Sequence, residues 1–370
     1  ELTQTIYENA LYFIFRLLFI AYFEDKNRDF LKAHLYFEEE ISIKNILKKL
    51  ENVDVESGKD KYNAFKHLLD IFNMYSSGDA NIDIPLFNGG LFDEEKAMLL
   101  KYLPKVFSNS DLKEILSKLF YFEKNGVLFV RDYKTLSVTH LGSIYEGLLS
   151  YFFEIASETV HYVKLKSKKK NEKATEFYVN ADSYDFNLYK KDFEILGTMQ
   201  TYQKGQIYLK NTSNSRKTTA SYYTPEVFTN FLVQSALQNN LNDENILKFK
   251  ILDNSCGSGA FLIEALNQIT EIIYLDLQEG FVKFPSLKNV FENEKSRILN
   301  AVQHFLPNVD EIAERDILKR LLLKRVIYGV DVNPFSIELT KLSLWIDSFI
   351  FGTPLSFIEH LSLIHISEPT

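Results

Sequence analysis

Ile251-Leu252-Asp253-Asn254-Ser255-Cys256-Gly257-Ser258-Gly259-Ala260-Phe261-Leu262 is the stretch whose reading decides the fold. An apolar run, read as a strand over Phe249 to Asp253, ends in an acid. It then turns through small residues into a helix read over Ala260 to Ile273. The glycines supply the torsional freedom of a sharp turn and let a ligand approach the main chain closely. A ligand there would lie at the carboxyl end of a strand, where open α/β sheets bind small molecules. The spacing is not the dinucleotide Gly-x-Gly-x-x-Gly, because no third glycine follows at the required offset.

The same grammar recurs in Val326-Ile327-Tyr328-Gly329-Val330-Asp331-Val332-Asn333-Pro334. A strand over Val326 to Val330 runs into an acid, and a helix follows over Pro334 to Phe351. In nucleoside-binding sheets an acid in this place accepts hydrogen bonds from ribose hydroxyls, although any strand-to-helix junction could carry the pattern. Asp331 follows Asp253 by 78 positions, whereas a strand-helix-strand unit takes about thirty residues. Leu277 to Lys324 is therefore read as a helical insertion. Upstream, Arg216-Lys217-Thr218-Thr219-Ala220-Ser221-Tyr222-Tyr223-Thr224-Pro225 opens a helix read to Leu237. Thr224 suits the cap of that helix and Pro225 its first position.

These three strings resemble the motifs of amino-group DNA methyltransferases. Asp253 to Leu262 is similar to their first cofactor motif, usually Asp-Pro-x-Cys-Gly-Ser-Gly, with Asn254 in place of Pro. Gly329 to Pro334 is similar to the second, Gly-x-Asp-x-Asn-Pro. Ala220 to Pro225 resembles the leading Gly-Ser-Tyr-Tyr-Thr-Pro, with Ala220 in place of Gly. The order of the three matches the gamma arrangement of adenine-specific enzymes. Pro85 to Asp93 and Leu141 to Leu149 resemble the helical connector of fused type IIG restriction-modification enzymes and of BREX phage-defence methyltransferases. The likeness covers most of Glu1 to His360.

The resemblance implies an α/β fold: a helical N-terminal connector followed by a truncated Rossmann-like S-adenosylmethionine-dependent methyltransferase domain. The expected divisions are a connector over 1–160, a β-containing basic insertion over 161–210, and the cofactor-binding half over 211–360. The implied cofactor is S-adenosylmethionine. It would be held by Asp253, Ser255, Cys256, Gly257, Gly259 and Phe261, with Asp331 at the ribose and Val332 beside the adenine ring. Tyr222, Tyr223, Thr224 and Pro225 would pack over its methionine part. The implied partner is double-stranded DNA, and the implied reaction is methyl transfer to the exocyclic amine of adenine in restriction-modification or phage defence.

The family's catalytic string, Asn-Pro-Pro-Tyr or Asp-Pro-Pro-Tyr, presents the adenine amine once the base has been flipped out of the duplex. It does not occur in this sequence, and Asn333-Pro334-Phe335 belongs to the second motif. No catalytic residue is therefore assigned, and the chain is expected to be an inactive fragment. Leu361 to Thr370 can be encoded by CTG TCT CTT ATA CAC ATC TCC GAG CCC ACG, the transposase mosaic end and adapter of sequencing libraries. The natural sequence is expected to end near His360. Two other readings stay open: a methyltransferase acting on protein or RNA, and a non-catalytic specificity scaffold.

Composition narrows the classes further. The 370 residues are 46% hydrophobic and 25% charged, with 31 Phe and 21 Tyr, a globular mixture that favours bulky helix faces. Leu11, Phe15, Leu18 and Tyr22 recur at the period of one buried helical face, within a helical region from Leu2 to about Phe120. Ile84 to Asp93 reads as a turn, and a helix after Thr139 is read to carry Ile144, Tyr145, Leu148, Leu149 and Phe152. The apolar run Ala10 to Phe23, interrupted by Arg16, is too short to span a bilayer, and no membrane association is expected. One cysteine excludes a disulfide framework and suggests a reducing cytoplasm. Seven scattered His without ligand spacing suggest no metal site. Asp83 with Glu94-Glu95-Lys96 loosely matches a nuclease metal site but is short and common enough to be read as chance. The net charge is −8, yet His161 to Lys217 holds 12 Lys/Arg against 6 Asp/Glu. That basic strip fits either phosphate contact or a solvated loop.

Overall fold

The computed structural model describes residues 2–28, 31, 36–52, 63–79, 84, 86–87, 90–136, 138–149, 151–167, 175–180, 193–211, 224, 226–237, 240–244, 246, 248–303 and 312–353. It divides into two compact units. One combines Glu1–Ala10 with Glu146–Ser221, the other Leu11–Tyr145 with Tyr222–Thr370. From Leu11 to Tyr145 the N-terminal segment thus shares a unit with both strand-ended acids.

Helix α1 (Leu2–Lys26), which belongs to the larger unit from Leu11 onward, is buried there on more than the single face its periodicity suggests. Leu11, Phe15, Leu18 and Tyr22 are buried, and so are Phe19, Ile20, Ala21 and Phe23, as befits a helix apolar all round. At 25 residues it is long and apolar enough to cross a bilayer, but most of its apolar window is packed inside protein. Arg16, a buried charge within it, donates to the carbonyls of Leu91 (2.7 Å) and Asp93 (2.8 Å). Phe19 stacks on Trp345 with centroids 4.4 Å apart, and Phe87 meets the same indole edge-on. The turn read at Ile84 to Asp93 is therefore a core element, anchored by the buried rings of Phe87 and Phe92.

Helices α2 (Ile43–Asn52), α3 (Ala64–Ser77) and α4 (Asn109–Phe120) follow. The Asn63 side chain caps α3 by accepting the Lys66 N–H, and Ser108 with Asp111 forms a capping box on α4. The segment is not all helical. Strands β1 (Tyr121–Lys124) and β2 (Val127–Val130) form an antiparallel hairpin. Its turn is Asn125-Gly126, both at positive φ (54° and 76°), the geometry a two-residue hairpin turn requires. After α5 (Val138–Leu149), Phe152 lies in a strand rather than at the end of that helix.

Among its described residues the smaller unit has five strands: β3 (Tyr151–Ile155), β4 (Val160–Ser167), β5 (Thr175–Asn180), β6 (Phe193–Tyr202) and β7 (Ile207–Asn211). β4 lies between β5 and β6, and β3 pairs with β7, all antiparallel. The Tyr7 hydroxyl donates to the Leu148 carbonyl at 2.9 Å, and its ring meets Phe153 edge-on.

The remainder of the larger unit mixes helix and strand. Helix α6 (Glu226–Leu237) buries Thr229, Val233 and Leu237. Strand β8 (Ile251–Asp253) pairs in parallel with β9 (Ile327–Gly329), in the register Ile251↔Ile327, Leu252↔Tyr328 and Asp253↔Gly329. Both strands are shorter than the sequence suggests: β8 starts at Ile251, and β9 starts only at Ile327 because Val326 still belongs to the preceding helix. Between them run α7 (Ala260–Gln278), α8 (Leu287–Val302) and α9 (Glu314–Val326), and α10 (Pro334–Asp347) follows β9. Positions 361–370 lie outside the described residues.

Candidate functional site

Parallel pairing of β8 and β9 brings the two strand-ended acids together, because both strands end on the same edge of the pair. The backbone ladder extends past the strands, with the Val330 N–H donating to the Asp253 carbonyl (2.8 Å) and the Cys256 N–H to the Val330 carbonyl (3.0 Å). This fixes the glycine turn against the second junction.

Asp331 then joins the two motifs directly. One carboxylate oxygen accepts the Gly257 N–H at 2.9 Å, and the other accepts the Asn333 N–H at 2.8 Å. The side chain is 8% exposed. Two of the roughly four lone-pair positions of a carboxylate are thereby used, leaving capacity for further donors.

Asp253 is satisfied on one side only. Its Oδ1 accepts the Ser255 N–H at 3.0 Å, while its Oδ2 is buried and has no hydrogen-bond partner among the described residues. Burial, and then the nearby Asp331 charge, hold this carboxyl above the usual aspartate range. A buried acceptor left unmade costs about 1–3 kcal/mol, so the position is set for a donor from a ligand.

The two glycines differ in what surrounds them. Gly257 (φ 54°) has open space where a Cβ would lie, with no atom of the described residues within 4 Å. Gly259 (φ 86°) lies against α10, where a Cβ would come 3.1 Å from Thr340 Cγ2. Gly259 is also the N-terminal cap of α7 and brings no side-chain hydrogen bond, so the first amides of that helix face the turn without a side-chain partner. Cys256 is buried, burial pushes its thiol up to about 12, and its sulfur accepts a contact from the Thr340 hydroxyl at 3.6 Å. It is a packing residue with no thiolate character.

Phe261 is half-buried in the first turn of α7. Val332 is 76% exposed beside the buried Asp331, an apolar side chain on the surface next to open carboxylate capacity. Thr224 is half-buried just ahead of α6. Tyr222, Tyr223 and Pro225 lie outside the described residues. The turn at the second junction is shaped by Asn333, whose side chain accepts the Phe335 N–H at 3.0 Å, with Pro334 opening α10.

Sequence reading missed Thr340, whose hydroxyl donates to the Gly257 carbonyl at 3.0 Å. Nine positions after Asp331 and in mid-helix, it carries no signal of its own beyond being a small polar residue on an otherwise buried face. Gly329 was read only as part of a motif, yet a Cβ there would meet Leu262 Cδ1 at 2.8 Å. Lys96, from the loose nuclease-like string, is ion-paired with Glu338 of α10 at 2.8 Å. No group of three or more potential metal ligands occurs among the described residues. Clefts of about 560 Å³ and 320 Å³ lie in the helical part of the larger unit and share no residue with the glycine turn.

The arrangement can grip a polar, hydroxyl- or ammonium-bearing molecule. It offers two adjacent carboxylates, turn amides, a side-chain-free approach at Gly257 and an apolar Val332 alongside. Residues 200–348 match the family model of N-6 DNA methylases. That stretch is under half of the chain, contains both Asp253 and Asp331, and supports an adenine DNA methyltransferase family. A search of the curated proteins finds no match.

Proposed function

We propose that the chain carries the cofactor-holding half of an S-adenosylmethionine-dependent methyltransferase that modifies the exocyclic amine of adenine in DNA. One observation carries the reading: Asp331, at the end of one parallel strand, grips Gly257 in the turn that ends its neighbour, beside the half-satisfied Asp253. The match to N-6 DNA methylases over 200–348 supplies the substrate class.

The site fits the group. The unpartnered Asp253 oxygen and the open volume at Gly257 are what a bound nucleoside with an amino-acid tail would fill. S-adenosylmethionine would supply an electrophilic methyl on a sulfonium. Asp331 would take ribose hydroxyls on its remaining lone pairs, Val332 would lie against the adenine ring, and Asp253 would accept a donor from the remainder of the molecule. Tyr222, Tyr223, Thr224 and Pro225 are proposed to cover the methionine part. What these residues contribute is position, since methyl transfer demands nucleophile, carbon and sulfur in line.

The amine-presenting string Asn-Pro-Pro-Tyr is not in these 370 residues. Leu252 on β8 is 62% exposed, and β8 has one parallel neighbour among the described residues, although parallel sheets are ordinarily covered on both faces. Both observations support a division of labour in which the acceptor side comes from further polypeptide. The helical segment is proposed to act as the connector of a restriction-modification or phage-defence enzyme. Mapping N6-methyladenine in DNA from cells expressing the complete gene tests this: a sequence-specific adenine mark is expected, and its absence from an expressed, folded product would overturn it.

A further inference from the structure

Helix α1 carries a cation that the cofactor site does not use. Arg16 is 3% exposed, and burial lowers its guanidinium from 12.5 to about 10, so it stays charged at neutral pH. Its hydrogen bonds run to two main-chain carbonyls, those of Leu91 and Asp93. Its charge lies over the rings of Phe72 and Phe92, 5.5 Å and 5.7 Å from their centroids. A buried charge is ordinarily matched by a counter-charge, yet no carboxylate among the described residues forms an ion pair with it. Asp93 and Glu94 act on it only at longer range. Two of the five N–H donors of a guanidinium are thus used, and three have no partner among the described residues. The Nη1 atom that carries two of them is not sealed from the surface.

Arg16 lines the cleft of about 560 Å³, a volume within the range of small-molecule sites. The cleft is built from α1, α3 and the segment Glu94–Lys105, all within the larger unit. Its walls include Leu69, Phe72, Met98, Leu100 and Pro104, so an apolar body has surface to lie against. The rim is polar: Lys66, Lys101 and Lys105 are exposed there, and so are Asp70, Glu94 and Glu95. With Arg16 that makes four cations against three carboxylates. The buried cation favours one oxyanion at the inner end, while the acids at the mouth oppose a polyanion. A guanidinium with open N–H groups is the side chain best suited to carboxylate or phosphate oxygens.

We propose that this cleft binds a small organic oxyanion, a carboxylate or phosphate monoester on an apolar body, with the anion on Arg16 and the body against Leu69, Met98 and Pro104. The cleft shares no residue with the glycine turn, so the proposal stands or falls separately from the methyltransferase reading. The test is isothermal titration of the full chain with phenyl phosphate and with benzoate, at constant ionic strength. Inorganic phosphate and benzyl alcohol are run beside them, since each carries only the anion or only the ring. At least one complete probe is expected to bind at one site per chain, about tenfold or more tighter than either half. R16Q removes the charge, and R16K keeps it but loses the planar fork; both are expected to weaken that probe about tenfold or more.

Arg16 also holds the Leu91 and Asp93 carbonyls, so circular dichroism establishes the folded fraction of each variant. The double variant K66E/K105E keeps the test decisive where the arginine variants unfold, because both lysines are exposed and hold no ion pair among the described residues. It is expected to weaken the probe about fivefold or more, with the unfolding temperature unchanged. A wild-type chain that binds neither complete probe would overturn the proposal, and so would unchanged binding in the folded variants. Inorganic phosphate binding as tightly as the aryl probes would overturn it as well, reducing the cleft to an ion site. Displacement of the bound probe by duplex DNA would overturn it too, by giving Arg16 to a backbone phosphate.

Discussion

Alanine at Gly257 and alanine at Gly259 separate folding from binding. Both glycines have positive φ, 54° and 86°, where an L-residue loses about 1–2 kcal/mol. At Gly257 nothing else among the described residues opposes the methyl, since none of their atoms lies within 4 Å of the Cβ position. G257A should therefore lower the unfolding temperature only by about 2–8 °C, at roughly 2–4 °C per kcal/mol for a unit of this size. At Gly259 the methyl also meets Thr340 Cγ2 at 3.1 Å and Thr340 Oγ1 at 3.3 Å. That helix residue is already held by its bond to the Gly257 carbonyl. The added crowding brings the expected cost to about 2–4 kcal/mol.

Binding should reverse that order. The empty volume at Gly257 is where S-adenosylmethionine is proposed to approach the main chain, so G257A should weaken it at least tenfold, worth about 1.4 kcal/mol. G259A should weaken it less once corrected for the folded fraction. Differential scanning fluorimetry with and without S-adenosylmethionine, backed by calorimetric titration, reads both quantities on the same samples. A G257A protein that binds like wild type would refute the reasoning, because the space would then belong to no ligand.

Other substitutions probe the surroundings. T340V removes the donor to the Gly257 carbonyl and should cost about 1 kcal/mol of stability, with a severalfold loss of cofactor affinity measurable by titration. Glu24 is fully buried, accepts from the Ser42 hydroxyl and the Ile43 N–H, and is pushed by burial from 4.5 to about 8. The folded chain thus keeps this proton where the unfolded chain releases it. The resulting stability is present below pH 4.5, declines as pH rises and is gone above about 8, a change of about 5 kcal/mol at most. E24Q should accordingly flatten the unfolding temperature between pH 5 and 8 and raise it at pH 8.5. G90A should cost no more than K96M, about 1 kcal/mol each, because the new methyl displaces only the flexible Lys96 tip from Glu338; chemical denaturation compares the two.

The two strand-to-helix junctions were legible because their signals are local. An apolar run, a terminal acid and glycines at fixed offsets specify a turn without reference to the rest of the chain, and Asp253 is indeed the last residue of its strand. The Asn125-Gly126 turn is an equally local signal, but the helical texture on either side outweighs two residues flanked by short runs. Phe152 was drawn into the preceding helix by its spacing from Leu148 and Leu149, although its partner Lys210 lies far away in sequence. The least legible feature was the grouping of Leu11–Tyr145 with Tyr222–Thr370. Rings such as Phe19 and Trp345 are ordinary apolar residues in their own segments, and only the folded chain stacks them. Thr340 belongs to the same class, since its role depends on a carbonyl 83 positions earlier.

The central claim is that Asp253 and Asp331 close one pocket around a sulfonium nucleoside. Its most direct test is isothermal titration of the 370-residue chain with S-adenosylmethionine, alongside D253A and D331A. The expected result is saturable binding at one site per chain, displaced by S-adenosylhomocysteine and lost in both variants while each remains folded. Wild-type binding that persists in folded D253A and D331A, or a wild-type chain that binds no S-adenosylmethionine at all, would contradict it.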